Sequence, residues 1–182
     1  PAAVVMLDLA SEMLAGATME DVSTVLYFKV LQWAGYSRNI KVAALERKLE
    51  KDGRYQEFLS KIEAALPGVS WQDLQNDPLV VDGLVPQIAH EMYPALFPTQ
   101  ASFSTSTEGF FQFENDRVEE MIDIVRQKTG KQHVIFIVDE VGQYVSSRDN
   151  LILNLDGLAK NLKAKGKGKV WIFSTAQQTL TE

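Results

Sequence analysis

The chain has 182 residues, no cysteine and a formal charge of −6, and is long enough to close one sizeable core or a domain with an insertion. Without cysteine there is no disulfide framework and no thiolate metal site. The acidic balance argues against a surface that holds nucleic acid mainly by neutralising phosphates. No apolar run approaches the ~20 residues of a membrane-spanning helix, so the expected compartment is cytoplasmic, with no membrane partner.

Residues 3–7, Ala-Val-Val-Met-Leu, form a short apolar run ended by Asp8. Consecutive apolar positions predict a strand covered on both faces, as in a parallel sheet. From residue 18 to residue 98 the pattern turns helical. Thr18-Met-Glu-Asp21 resembles a capping box, and Val22, Val25, Leu26, Val30 and Trp33 follow on one face. Val42, Leu45 and Leu49, then Phe58, Ile62 and Leu66, continue the theme until Pro67-Gly68 breaks it, and a last helix is predicted near Pro86 to Tyr93. Tyr27, Phe28, Trp33, Tyr55 and Phe58 stand at helical spacing and read as core. His90 and His133 have no second ligand in register, so neither is expected to bind zinc or to act in catalysis. A helical block of this length is too long for an ordinary α/β connection and reads as an insertion.

Residues 99–113 are rich in Ser and Thr, then aromatic, and are expected to form an exposed connection that re-enters the fold through Phe110, Phe111 and Phe113. Val118, Met121, Ile122 and Val125 mark an amphipathic helix with acids early and bases late, stopped by Gly130. The run Val134 to Val138 ends in two adjacent carboxylates, Asp139 and Glu140. Leu151, Leu155, Leu158 and Leu162 make a single helical stripe that Asp149 or the preceding serines begin and Gly166 ends. Residues 170–173, Val-Trp-Ile-Phe, are a third strand, followed by Ser174 and Thr175. Strand, helix, strand is a βαβ unit whose strands are parallel neighbours. Lysines 160, 163, 165, 167 and 169 could contact nucleic acid or a partner, but cations at a helix C-terminus facing solvent are expected on dipole and solubility grounds, and that reading is favoured.

The expected fold class is therefore α/β: a core with parallel strands made from residues 1–17 and 99–182, with residues 18–98 as a helical insertion or subdomain. Open α/β sheets bind ligands outside the carboxyl ends of their strands, which places Asp8, Asp139, Glu140 and Thr175 along one rim. Two carboxylates at the end of a buried strand are costly unless a cation, hydrogen bonds or a shifted pKa compensates. Magnesium with a nucleoside triphosphate supplies such a cation.

The segment "VIFIVDE" resembles the Walker B strand of P-loop ATPases of the AAA+ type, and "VWIFSTAQQ" resembles the adjacent strand that carries the sensor 1 residue. More narrowly, "VIFIVDEVGQYV", "LILNLDGLAKNL" and "GKVWIFSTAQQ" are similar to the P-loop ATPase of BREX phage-defence systems, the BrxC/PglY family, over residues 134–178. This resemblance implies a partial P-loop NTPase core that uses ATP and Mg2+. Asp139 would serve Mg2+ through water, Glu140 would be the catalytic residue for the attacking water, and Thr175, with Gln177 and Gln178 nearby, would face the γ-phosphate. It also implies a large cytoplasmic ATPase working in a phage-restricting complex with other defence-system proteins or copies of itself; DNA contact through other domains stays open.

No G-x-x-x-x-G-K-S/T loop occurs in the chain. "TGKQ" at 129–132 lacks the first glycine and the hydroxyl residue, and "GKGK" at 166–169 precedes a strand instead of following one. The chain thus reads as a piece of a longer ATPase whose phosphate-binding loop is expected just before Pro1. Alone, the piece is expected to bind and hydrolyse ATP poorly. Two other readings stay open: a non-catalytic protein-interaction module, and part of a motor that moves on DNA.

Overall fold

The computed structural model describes residues 1–9, 22–105, 114–142 and 149–175. It divides into two compact units, one made of Pro1–Ala34 with Phe113–Glu182 and the other of Gly35–Gln112.

The first unit is built on a three-stranded sheet in the order β1 (Ala2–Asp8), β2 (His133–Asp139), β3 (Val170–Ser174), all parallel. The α/β class and the parallel neighbours expected from the apolar runs are what is observed. The register aligns Ala2 with His133 and Asp8 with Asp139 on one side of β2, and Val134 with Val170 on the other. Helices α1 (Val22–Trp33), α7 (Glu114–Thr129) and α8 (Asp149–Gly166) pack on one another and against the strands. The stripes read from the sequence are their inner faces: Val118, Met121, Ile122 and Val125 of α7, and Leu151, Leu158 and Leu162 of α8, are buried. The strands contribute alternate residues to this core, Val5 and Leu7 from β1 and Val134, Phe136 and Val138 from β2, as the pleat requires. Polar ties join the helices: Ser23 N–H donates to Asn154 Oδ1 at 3.2 Å and Arg117 Nη1–H to Thr24 Oγ1 at 2.6 Å.

The other face of the sheet is bare among the described residues. Val4 and Met6 are 52% and 72% exposed, and Trp171 and Phe173 are 44% and 57% exposed. With Ile135 and Ile137 they form two cross-strand rows, Val4–Ile135–Trp171 and Met6–Ile137–Phe173. This corrects the expectation of strands covered on both faces. An unbroken apolar run shows that both faces are apolar, and the helices of this unit cover only one. At the N-terminal end of the bare face lies a shallow groove of about 410 Å³, lined by Pro1, Ala2, His133, Ile135, Trp171 and Phe173.

The second unit is helical: α2 (Ile40–Lys51), α3 (Tyr55–Ala65), α4 (Trp71–Leu74), a π-helical turn (Val80–Leu84), α5 (Val85–Met92) and α6 (Gln100–Thr105). Asn39 caps α2 by accepting from the N–H groups of Lys41 and Val42, a standard use of a short polar side chain. Val42, Leu45, Leu49, Phe58 and Ile62 share one core with Trp71, and Phe58 meets Trp71 edge-on with ring centroids 4.9 Å apart. The unit's edges fall at Gly35 and Gln112, where the sequence reading set 18 and 98, because α1 packs with the sheet. Trp33, at the end of α1, is exposed, which corrects its reading as core. Residues 100–105 are helical with Phe103 buried, so the Ser/Thr-rich segment is not wholly an exposed connection. Phe103 folds it back by packing edge-on against Phe97 at 5.3 Å. The proposed capping box at 18–21 and Phe110, Phe111 and Phe113 lie outside the described residues. No helix among the described residues is long and apolar enough to cross a membrane.

Glu46 of α2 is buried within this helical unit. Its carboxylate accepts from Ser37 N–H at 2.9 Å, Trp71 Nε1–H at 2.7 Å and Tyr55 O–H at 3.5 Å. Beside it the buried Arg47 donates to Tyr36 Oη at 3.1 Å and to Glu50 at 3.2 Å. Burial pushes the Glu46 carboxyl up to about 7 against the pull of its donors, and the Glu50 charge adds to the rise. Its folded pKa exceeds its unfolded one, so its contribution is complete at low pH and lost as pH rises through about 7. Asp52, Glu57 and Glu91 are held low by Lys48, Arg54 and Lys61 respectively, and their contributions are lost only on acidification. Denaturant unfolding is therefore expected to show stability falling by about 2–3 kcal/mol between roughly pH 5 and pH 8. Glu46→Gln should flatten that slope; an unaltered slope in the variant would assign it elsewhere.

Candidate functional site

Asp8 and Asp139 are the last residues of β1 and β2, and Thr175 directly follows β3, so all three stand on the C-terminal rim of the sheet. By strand alternation they continue the rows of the bare face, beyond Met6, Ile137 and Phe173.

The Thr175 hydroxyl donates to Asp139 Oδ1. The Glu140 N–H reaches both Asp139 Oδ1, at 2.9 Å, and Thr175 Oγ1, at 3.3 Å. Backbone bonds lock the strand ends around this cluster: Thr175 N–H to the Val138 carbonyl at 3.0 Å, Val141 N–H to the Thr175 carbonyl at 3.1 Å, and Leu9 N–H to the Asp139 carbonyl at 3.3 Å. Glu140 adopts a φ of 57°, a left-handed conformation that side chains with a Cβ rarely take. With the chain turned this way, the Glu140 amide is bonded back to the carboxylate of the preceding residue.

Asp139 is exposed and Glu140 half-buried, between the buried Val138 and Val141. Of the compensations expected for acids at a strand end, hydrogen bonds are present at Asp139, from the Thr175 hydroxyl and the Glu140 N–H. The pair is accommodated because it sits past the edge of the core, where water and the Thr175 and Glu140 donors satisfy it.

The donors here are hard oxygens. Among the described residues no group of three or more His, Cys, Asp or Glu side chains could hold a metal ion.

Of the residues singled out in the sequence, the Asp139 and Thr175 side chains are hydrogen-bonded to each other, Glu140 joins them through its backbone N–H, and Asp8 stands level with Asp139 on the same rim. Gln177 and Gln178 lie outside the described residues. The left-handed turn at Glu140 has no sequence signal, since neither Gly nor Asn marks it. His90 donates from Nδ1–H to the Phe97 carbonyl at 2.6 Å, a local structural tie. His133 stacks on Trp171. No protein-family model matches the chain, and no solved structure matches it.

The strained backbone yields a stability test. Glu140→Gly should relieve the left-handed conformation and stabilise the sheet unit by about 0.5–1 kcal/mol, read as a rise of a few degrees in Tm. A β-branched residue such as Val at position 140 should lower Tm instead.

Proposed function

We propose that this chain carries the magnesium-and-water half of an ATP-hydrolysing site, the Walker B and sensor 1 elements of a P-loop ATPase of the AAA+ type. The observation that carries this reading is the cluster of Asp139 carboxylate, Thr175 hydroxyl and Glu140 amide at the carboxyl ends of two adjacent parallel strands. Both requirements of the chemistry find a residue in the right order along the chain, a carboxylate for a hydrated cation and a second acid one residue on.

In this reading Asp139 holds a water of the Mg2+ shell, and the hydrogen bonds from Thr175 and Glu140 N–H fix its carboxylate in one orientation. When bound, Mg2+ supplies charge neutralisation for the phosphate oxygens. Glu140 would accept a hydrogen bond from the attacking water, align it with the γ-phosphate and take up its proton as the bond to the β-phosphate oxygen breaks and ADP leaves. The Thr175 hydroxyl, whose one proton goes to Asp139 Oδ1 here, would turn that proton to a γ-phosphate oxygen when nucleotide is bound. The phosphate cradle comes from residues outside this chain, since the chain has no P-loop motif. The resemblance over residues 134–178 supports the narrower reading of a BREX phage-defence ATPase working in a complex. The bare apolar sheet face favours a second reading, a non-catalytic interaction module whose acids do no chemistry.

The deciding measurement is ATP turnover by the whole polypeptide to which the chain belongs. Glu140→Gln should reduce turnover about 10²- to 10⁴-fold with ATP binding retained, and Asp139→Asn should raise the Mg2+ concentration needed. Turnover unchanged by Glu140→Gln would sink the catalytic assignment and leave the interaction module.

A further inference from the structure

The end of the sheet opposite the acid rim has its own chemistry. Eight of the chain's 18 basic residues fall in residues 126–133 and 160–169, three in the first segment and five in the second, and neither segment contains Asp or Glu. Those on the last turns of α7 and α8 answer the helix dipoles, and Lys165 is paired with Glu119 of α7 at 2.8 Å. Lys131, Lys167 and Lys169 lie outside both helices, in the turns that enter β2 and β3; of the three, Lys167 also stands within electrostatic reach of Glu119.

These two turns are neighbours. β2 and β3 are paired, and Val134 N–H donates to the Lys169 carbonyl at 2.9 Å. The α8–β3 turn is tight: Lys167 and Gly168 both have positive φ, 48° and 73°, and a Cβ on Gly166 would come within 2.6 Å of the Val170 Cβ. Lys167 and Lys169 are therefore presented on a constrained turn. Directly beside them, at the mouth of the bare-face groove, the exposed rings of His133 and Trp171 stack at 6.0 Å with an interplanar angle of 20°.

We propose that this N-terminal end of the sheet binds single-stranded nucleic acid, its phosphates along Lys131, Lys167 and Lys169 and a base stacked on the Trp171–His133 plane. Lysines alone would serve any polyanion; the exposed aromatic plane beside them adds a contact that only an unstacked base can use. The net charge of −6 does not oppose this. The acids Asp8, Asp139 and Glu140 sit at the far end of a seven-residue strand, about 20 Å away, and exposed charges are screened within about 8–10 Å at physiological salt. This inference is independent of the ATPase reading and stands or falls without it.

The test titrates the chain with a fluorescent oligothymidylate of about 15 nucleotides. Salt-dependent binding is expected, with quenching of tryptophan fluorescence as a base stacks. Replacing Lys131, Lys167 and Lys169 together by Gln should reduce the salt slope by about 2. Trp171→Ala should weaken binding roughly tenfold without changing the slope, while Trp171→Phe, which keeps an aromatic plane, should retain most of the affinity. Circular dichroism checks that each variant is folded, and the quenching tests the stacking on the unaltered chain. No binding at about 50 mM salt, no quenching, or equal competition by polyglutamate or by duplex DNA overturns the proposal.

Discussion

The parallel pairing of β2 with a strand on each side is the constraint on which the sheet unit depends. β2 exchanges backbone hydrogen bonds with both β1 and β3. Its inner residues Val134, Phe136 and Val138 meet the helical layer, and its last residue carries the carboxylate at the rim. Because the ladder aligns Asp8 with Asp139 and Val138 with Ser174, it also decides which hydroxyl stands beside that carboxylate. The site is a property of three strand ends held level, which no single segment could produce.

The helical unit is organised on a different principle. Its core is aromatic and aliphatic, yet it closes around Glu46, whose carboxylate gathers an amide, an indole and a phenol from three separate segments. A buried acid satisfied in this way fixes how α2, α3 and α4 meet more narrowly than apolar packing would, and makes the unit sensitive to pH. The sheet unit places its acids where water reaches them. Acidic side chains thus act as an internal fastener in one unit and stand open to solvent at the strand ends of the other.

Much of the sheet unit was legible in the sequence because its signals are local. The apolar runs mark strands, the leucine stripe of α8 marks its buried side, and the order of Asp139, Glu140 and Thr175 follows from strand ends. What was not legible depends on partners distant in the chain. Apolar residues at both parities of a strand cannot tell a covered face from a bare one, so Met6 and Phe173 read as core. The exposure of Trp33 and the burial of Phe103 were missed for the same reason, since helical spacing and composition give no information on what lies opposite. The turn at Glu140 was hidden because its cause is a carboxylate and a hydroxyl contributed by two strands, and no turn-forming residue announces it. Nothing local marks Glu46 and Arg47 as buried, because their partners, Ser37, Trp71 and Tyr36, come from outside α2.

The bare face also bears on how β3 keeps its place. Where one face is apolar and the other polar, a strand that slips by one residue turns its apolar side to water, and the error is penalised along its whole length. β3 has no such safeguard: Val170 and Ile172 on one side and Trp171 and Phe173 on the other are all apolar. Its alignment is held at its two ends, by the close approach of Gly166 to Val170 and by the bonds that Thr175 makes to Val138 and Val141. A slip of one position would bring Ser174 to the place of Thr175 and turn Trp171 inward, so the same two end clamps guard both the acid rim and the aromatic plane.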